Sequence, residues 1–300
     1  MKEIIKKICK RFGIYQLYSK LTSWRDNATC ERFECCLGDI LLQRDVPNNH
    51  QLLLTSRLLD VEEYLENGNE TFPYQNAISY KEYGKDHKEE TGNKSFRTLV
   101  ESYKMVGYRS DSFVTLDRDM ILLDGNHRMG LQIYEKLEKV SARMLKRKVN
   151  FEYSGDWYYR VGLPTAFMER IYNRYFEVQK WLKEKGMTFC VLSDAKGTDR
   201  DALVSDAKHL ATVLNVYPFE FRVDYNQNSL LGGVLIQFSC MQPDYLVNKG
   251  RLISKRTQKI ENILKSRQSN YTVIVSKNCM EGMEMYHAVK ENVKDEKNTD

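Results

Sequence analysis

Residues 120–137 read MILLDGNHRMGLQIYEKL, and this stretch decides how the first half of the chain folds. Met120 to Leu123 is a short apolar run of strand character, whereas Met129, Leu131, Ile133, Tyr134 and Leu137 recur at helical spacing. Between them, Asp124-Gly125-Asn126-His127-Arg128 carries the chain from strand to helix. A glycine-bearing turn of this kind offers backbone N–H groups and a positive helix end, which together bind an anion such as a phosphate. Arg128 adds a donor fork, and His127 a ring that donates a hydrogen bond or moves a proton. Asp124 would be repelled by a phosphate unless it binds a metal or takes a proton from an attacking hydroxyl. The same five residues also satisfy a plain polar turn in which Gly125 takes a positive φ.

Working outward, SFRTLVESYKMV (Ser95–Val106) predicts a helix capped by Ser95 and ended by Gly107, with Phe96, Leu99, Val100, Tyr103 and Val106 on one face. SFVTL (Ser112–Leu116) predicts a strand, joined to Met120–Leu123 by a polar hairpin tip of Asp117, Arg118 and Asp119. QLLLTSRLL (Gln51–Leu59) reads as a further strand, and the polar Asn67–Lys94 as a long loop or lid. Residues 1–25 read as a basic amphipathic helix, with Ile4, Ile5, Ile8 and Phe12 opposite Lys2, Lys6, Lys7, Lys10 and Arg11. Such a leader docks on its own domain or makes weak contact with an anionic membrane surface.

Downstream, Thr165–Lys185 is the strongest helical pattern, with Phe167, Ile171, Tyr175, Val178 and Leu182 in register, Pro164 before it and Gly186 after. It reads as a connector between two units. Beyond it come strand 188–192, helix 199–214, strands 219–225 and 234–240, helix 249–266, strand 271–276 and helix 282–293. That order is the order of a ferredoxin-like sandwich. The expected division is a leader 1–37, a first domain 38–150, a linker and connecting helix 151–186, a second domain 187–293 and a frayed tail 294–300. Ser193–Asp199 also joins a strand to a helix, but it lacks the ending of a P-loop, and capping by Thr198 or Asp199 accounts for it. Tyr153, Trp157, Tyr158 and Tyr159 read as linker aromatics, and His209 and His287 as structural histidines.

With 42% hydrophobic residues in 300, the chain can bury a sizeable core, so disorder of the whole is excluded. Its 46 basic and 41 acidic residues leave a net charge of +5, less than nucleic-acid binders usually carry, and a nucleic-acid partner is not expected. The sequence shows neither a run of about 18 apolar residues nor a secretory signal, so a cytoplasmic protein is expected. The seven scattered cysteines form no C-x-x-C pair and fit a reducing compartment; no metal site is assigned to Cys30, Cys35 and Cys36.

Phe96 to Leu145 resembles the core of the ParB/sulfiredoxin-like superfamily: helix, strand entering a hairpin, the DGNHR signature, helix (MGLQIYEKLEK) and closing strand (VSARML). The resemblance implies a signature turn that holds nucleotide phosphates. Sulfiredoxins carry a cysteine immediately before the His-Arg pair, where this chain has Asn126. Partition proteins differ where Asn126 and His127 stand and continue into helix-turn-helix segments that are not read here. The D-G-x-H-R form is closest to free-serine kinases, in which the Asp acts together with a glutamate from an earlier segment. On that resemblance Asp124 and His127 are candidate catalytic residues, with Glu62 and Glu63 as candidates for the glutamate. Gly125, Asn126, His127 and Arg128 become the nucleotide cradle. Arg97 and Arg109 are placed to approach a phosphate from the preceding helix and its exit.

The expectation is therefore an α+β protein whose ParB/sulfiredoxin-like N-terminal domain is joined by a long helix to a ferredoxin-like C-terminal domain. It would transfer phosphate from ATP or ADP, with Mg²⁺, to a hydroxyl-bearing metabolite such as an amino acid or sugar. A nucleotide-gated binding protein without turnover is the alternative, and a nucleic-acid regulator a third.

Overall fold

The computed structural model describes residues 31–42, 49–74, 76–77, 89–107, 112–145, 162–222, 230–240, 243–267 and 270–297. The first half contains β1 (Glu31–Cys36), α1 (Leu37–Leu41), α2 (Asn49–Asn67), α3 (Glu89–Val106), β2 (Val114–Leu116), β3 (Leu122–Asp124), α4 (Asn126–Tyr134) and β4 (Lys139–Met144). The second half opens with α5 (Thr165–Glu184), β5 (Phe189–Ser193), α6 (Gly197–Leu210), β6 (Thr212–Arg222) and β7 (Leu230–Ser239). It ends with β8 (Tyr245–Asn248), β9 (Arg251–Ser254), α7 (Lys255–Arg267), β10 (Val273–Val275) and α8 (Cys279–Lys297). The architecture is mixed α and β, with two sheets.

The six-stranded sheet runs β3-β2-β4-β1-β9-β8, and the four-stranded sheet β10-β5-β7-β6. In β4 the period of two is plain: Val140, Ala142 and Met144 point into the core, and Lys139, Ser141 and Arg143 point out. All three pairings in the smaller sheet are antiparallel. One buried cluster joins the sheets, holding Phe33, Val114 and Val140 from the first with Val191, Ile236 and Phe238 from the second.

Several boundaries differ from the sequence expectation. Gln51–Leu59 is helix rather than strand, because α2 is surrounded on nearly every side: each residue from Leu54 to Val61 is buried. A continuous apolar run carries no period with which to tell a buried strand from a buried helix. The helix accommodates its polar residues by hydrogen bonding them: Thr55 Oγ1 to Gln51 O at 2.8 Å, and Ser56 Oγ to Leu53 O at 2.6 Å. Residues 31–36, expected within the leader, form a strand in the interior of the larger sheet; the amphipathic reading of 1–25 lies outside the described residues. α3 begins at Glu89, so position 95 is interior to it rather than its cap and the last six residues of the expected lid are helical, while 75 and 78–88 of that lid lie outside the described residues. α8 continues through Lys297 into the expected tail.

The second half keeps its expected succession with one addition. A hairpin of β8 and β9, placed where a helix was expected to begin, leaves the smaller sheet and pairs β9 in parallel with β1 of the larger one. α5 matches its expected span and does more than connect. Leu163, Met168 and Ile171 close over Leu52 and Leu59 of α2, while Val178 and Leu182 enter the main core. Burying a leucine such as Leu182 completely contributes about 1.5–3 kcal/mol.

Candidate functional site

β3 ends at Asp124, whose side chain is exposed, and α4 starts two residues later. Gly125 is the N-cap residue, with φ 98° and ψ 21°, and its carbonyl accepts from Met129 N at 2.8 Å to open the helix. Glycine is required twice over. The φ lies in the left-handed region, and a Cβ on Gly125 would stand 2.9 Å from Val114 Cγ1 on the neighbouring strand. No side chain caps α4, and its first turn contains no acidic residue. The leading amides of the helix therefore point outward without intrahelical acceptors, in a positive local potential.

The helix is drawn onto α2 at Gly130, where a Cβ would meet Leu58 N at 3.2 Å and the Arg57 carbonyl carbon at 3.3 Å. This approach sets His127 among α2 and α3. Its ring lies 4.3 Å from that of Phe96, centroid to centroid. Burial, reinforced by the positive charge of Arg57, lowers the His127 pKa to about 3. His127 is thus a neutral imidazole at physiological pH, able to donate or accept a hydrogen bond but carrying no charge toward a ligand. Arg128 Nη1 donates to the Phe113 carbonyl at 2.6 Å, which anchors its guanidinium against the start of β2. Asn126 Oδ1 is buried with no hydrogen-bond partner among the described residues.

Of the sequence candidates, Asp124, Gly125, Asn126, His127 and Arg128 form this one turn. Glu62 and Glu63 lie elsewhere, on α2, where each meets an arginine of α5: Glu62 with Arg174 at 2.6 Å and Glu63 with Arg170 at 2.7 Å. Burial pushes the Glu62 carboxyl upward, and Arg174 opposes that shift. These two glutamates hold helices together and do not complete the turn. Arg97 pairs with Glu70 at 2.6 Å, and Arg109 and the linker aromatics lie outside the described residues. Asp117 makes the hairpin tip expected of it, accepting from Asp119 N at 2.8 Å and Ile121 N at 2.9 Å.

Arg57 and Asp60 went unnoticed in the sequence. Both are buried on α2 and face one another at 3.8 Å; Asp60 also accepts from Tyr74 N at 2.9 Å. Their spacing of three is a helical signal, but it carries meaning only once the segment is read as helix. The Ser193–Asp199 connection also differs from expectation: α6 begins at Gly197 after Lys196, and neither Thr198 nor Asp199 occupies the cap position. No helix among the described residues is long and apolar enough to cross a membrane. Comparisons of the chain with family models, curated proteins and solved structures find no match.

Proposed function

We propose that the chain is a nucleotide-dependent phosphotransferase of the cytoplasm, acting on a hydroxyl-bearing small molecule. Its N-terminal sheet and helices would form a ParB/sulfiredoxin-like domain, and the smaller sheet with α6 and α7 a ferredoxin-like one. The observation that carries the reading is the uncapped, acid-free start of α4 on a left-handed glycine, with an exposed carboxylate immediately before it.

In this reading the Gly125–Arg128 turn receives phosphate oxygens through backbone amides and the helix end. Asp124 sits at the strand terminus, where it would orient the acceptor hydroxyl and take its proton as the oxygen bonds to the nucleotide's terminal phosphorus, whose bond to the bridging oxygen breaks and releases the shortened nucleotide. Neutral His127 packs its ring, tilted by 37°, against Phe96 and would supply a hydrogen bond rather than a charge. The residues fit a Mg²⁺-nucleotide: the Asp124 carboxylate and the orphaned Asn126 Oδ1 are hard oxygen donors, and Mg²⁺ usually takes few protein ligands beside phosphates and water. When bound, the ion would neutralise charge on the transferred phosphate.

The buried free thiols Cys35, Cys36, Cys190, Cys240 and Cys279 accord with a reducing compartment. A second reading, a nucleotide-gated switch, draws on the β8–β9 hairpin, which ties the second half of the chain to β1 of the sheet that bears the turn.

The test is a thermal-shift panel of ATP, ADP, CTP and GTP with Mg²⁺, followed by phosphorylation of a metabolite extract. The enzyme reading expects a raised melting temperature and a phosphorylated product that Asp124→Asn loses while still binding nucleotide. A flat panel up to millimolar nucleotide refutes both readings, and binding without product leaves only the switch.

A further inference from the structure

The outward face of the six-stranded sheet carries an arrangement that the nucleotide reading does not use. Arg32 on β1 stands directly opposite Arg143 on β4 in the antiparallel register. Both guanidinium groups lie over the ring of Phe113, at 4.5 Å for Arg32 and 4.7 Å for Arg143. Their central carbons are therefore no further apart than those two distances laid end to end. Like charges placed directly across a strand pair repel, so the two guanidinium groups do not stabilise one another.

The neighbouring groups hold the arginines in place. Arg143 Nε donates to Thr115 Oγ1 at 2.8 Å, which fixes its fork on the sheet. The Phe113 carbonyl is gripped by Arg128, so the residue whose ring both cations contact is anchored from the turn itself. Glu34, the next outward residue of β1, is in register with Arg251 of β9, so that carboxylate has a cationic neighbour of its own. Asp124 pairs with Thr115 on the same face, two strands from Arg143. Among the described residues the Arg32 side chain makes neither an ion pair nor a hydrogen bond; the Phe113 ring is its one partner.

We propose that Arg32 and Arg143, steadied by Phe113, form a binding site for the phosphate group of a small molecule on the outward face of the sheet. Two forked cations match a doubly charged tetrahedral oxyanion, whereas a single carboxylate needs only one. The ligand turns the repulsion between the arginines into a shared attraction, and the aromatic ring keeps both forks from folding away into solvent. The site is separate from the amides of α4 and stands whether or not the turn binds a nucleotide.

The probe is inorganic phosphate, titrated at constant ionic strength against acetate as a monoanion control, with the melting temperature as readout. Phosphate raises the melting temperature of the full chain more than acetate does, and Arg32→Lys, which keeps the charge but loses the fork, weakens the apparent affinity by about tenfold. Arg143→Lys does the same, and Lys139→Gln, which removes another exposed cation of β4 outside the pair, keeps the phosphate response. No response up to about 50 mM phosphate, or one that both arginine-to-lysine variants retain, overturns the proposal. So does a response lost in Gly125→Ala and kept in the arginine-to-lysine variants, which places the anion on the turn. Because Arg32 lies on an outward strand position and lysine preserves its stem, a single cooperative melting transition in each variant verifies that the fold is intact.

Discussion

The turn from β3 into α4 and the turn from β5 into α6 have the same topological role, yet the third helical residue is Arg128 in one and Asp199 in the other. An acid there complements the positive helix end and turns anions away; an arginine does the opposite. The second turn is also closed on itself. Asp194 Oδ1 accepts from Thr272 N at 2.6 Å, and Ser193 Oγ from Ala195 N at 3.1 Å. The turn from β1 into α1 follows this second pattern in a buried setting, with Asp39 at its third helical position. A strand-to-helix turn with an acid at that position satisfies its own helix end, whereas an arginine there leaves the end without an anion of its own.

Asp39 shows how far the acid-bearing version can go. Fully buried, it accepts from Tyr245 OH at 2.5 Å and Cys279 N at 2.7 Å through Oδ1, and from Cys36 N at 3.2 Å through Oδ2. Burial raises its carboxyl pKa against the pull of those donors. Asp39→Asn replaces one acceptor oxygen by a donor and sets N–H against N–H. The expected loss is about 3–5 kcal/mol in urea unfolding, with nucleotide response unchanged in whatever remains folded. A loss below about 1 kcal/mol would mean that this turn is not committed to the fold.

The β3–α4 turn breaks at its glycine. Gly125→Val places a branched side chain at a positive φ and against Val114, for an expected loss of about 2–4 kcal/mol. The nucleotide-dependent rise in melting temperature should vanish with it, measured at a temperature where the variant is still folded. Retention of that rise would show that the nucleotide binds elsewhere.

The two turns were unequally legible in the sequence. Asp124 to Arg128 stood out because a glycine, an acid and two basic residues sit between a strand pattern and a helical one, and all of that information is local. Asp39 carried no such signal, since its partners Tyr245 and Cys279 come from the far end of the chain. Arg57 was hidden by a misread period: a helix buried on nearly every side shows no amphipathic stripe, and QLLLTSRLL looks like a strand until its neighbours are known. Glu62 and Glu63 were visible as acids, but their ion pairs with α5 depend on a packing that spacing alone does not give. The β8–β9 hairpin escaped notice because its strands are only four residues each and their partner, β1, was expected to be leader.

His127 gives the β3–α4 turn a pH signature. Its folded pKa is about 3, while in the unfolded chain an imidazole titrates near 6.5. Between those values the unfolded state binds a proton that the native state refuses, so stability is fully present above about pH 6.5 and falls as pH is lowered toward 3. In that window the contribution approaches about 1.4 kcal/mol per pH unit. His127→Gln should flatten this limb of the stability profile, read from urea midpoints at a series of pH values. A profile of unchanged slope would mean that the ring is open to protonation and could face a phosphate as a cation.

The smallest effect discriminates most sharply between charge and backbone. Asp199→Arg gives the α6 turn the third-position charge of α4 and nothing else, since Lys196 remains its extended cap residue. Reversing a favourable charge at a helix start is worth about 0.5–1.5 kcal/mol at low ionic strength and shrinks as salt screens it. The variant should therefore melt slightly lower in dilute buffer, approach the parent in about 1 M salt, and gain no nucleotide response. A new response would show that an arginine suffices at a helix start that already has a left-handed glycine, since Gly197 also has a positive φ of 56°. The absence of one, alongside a Gly125 variant that no longer responds, would show that the left-handed glycine must stand at the cap position, as Gly125 does and Gly197 does not.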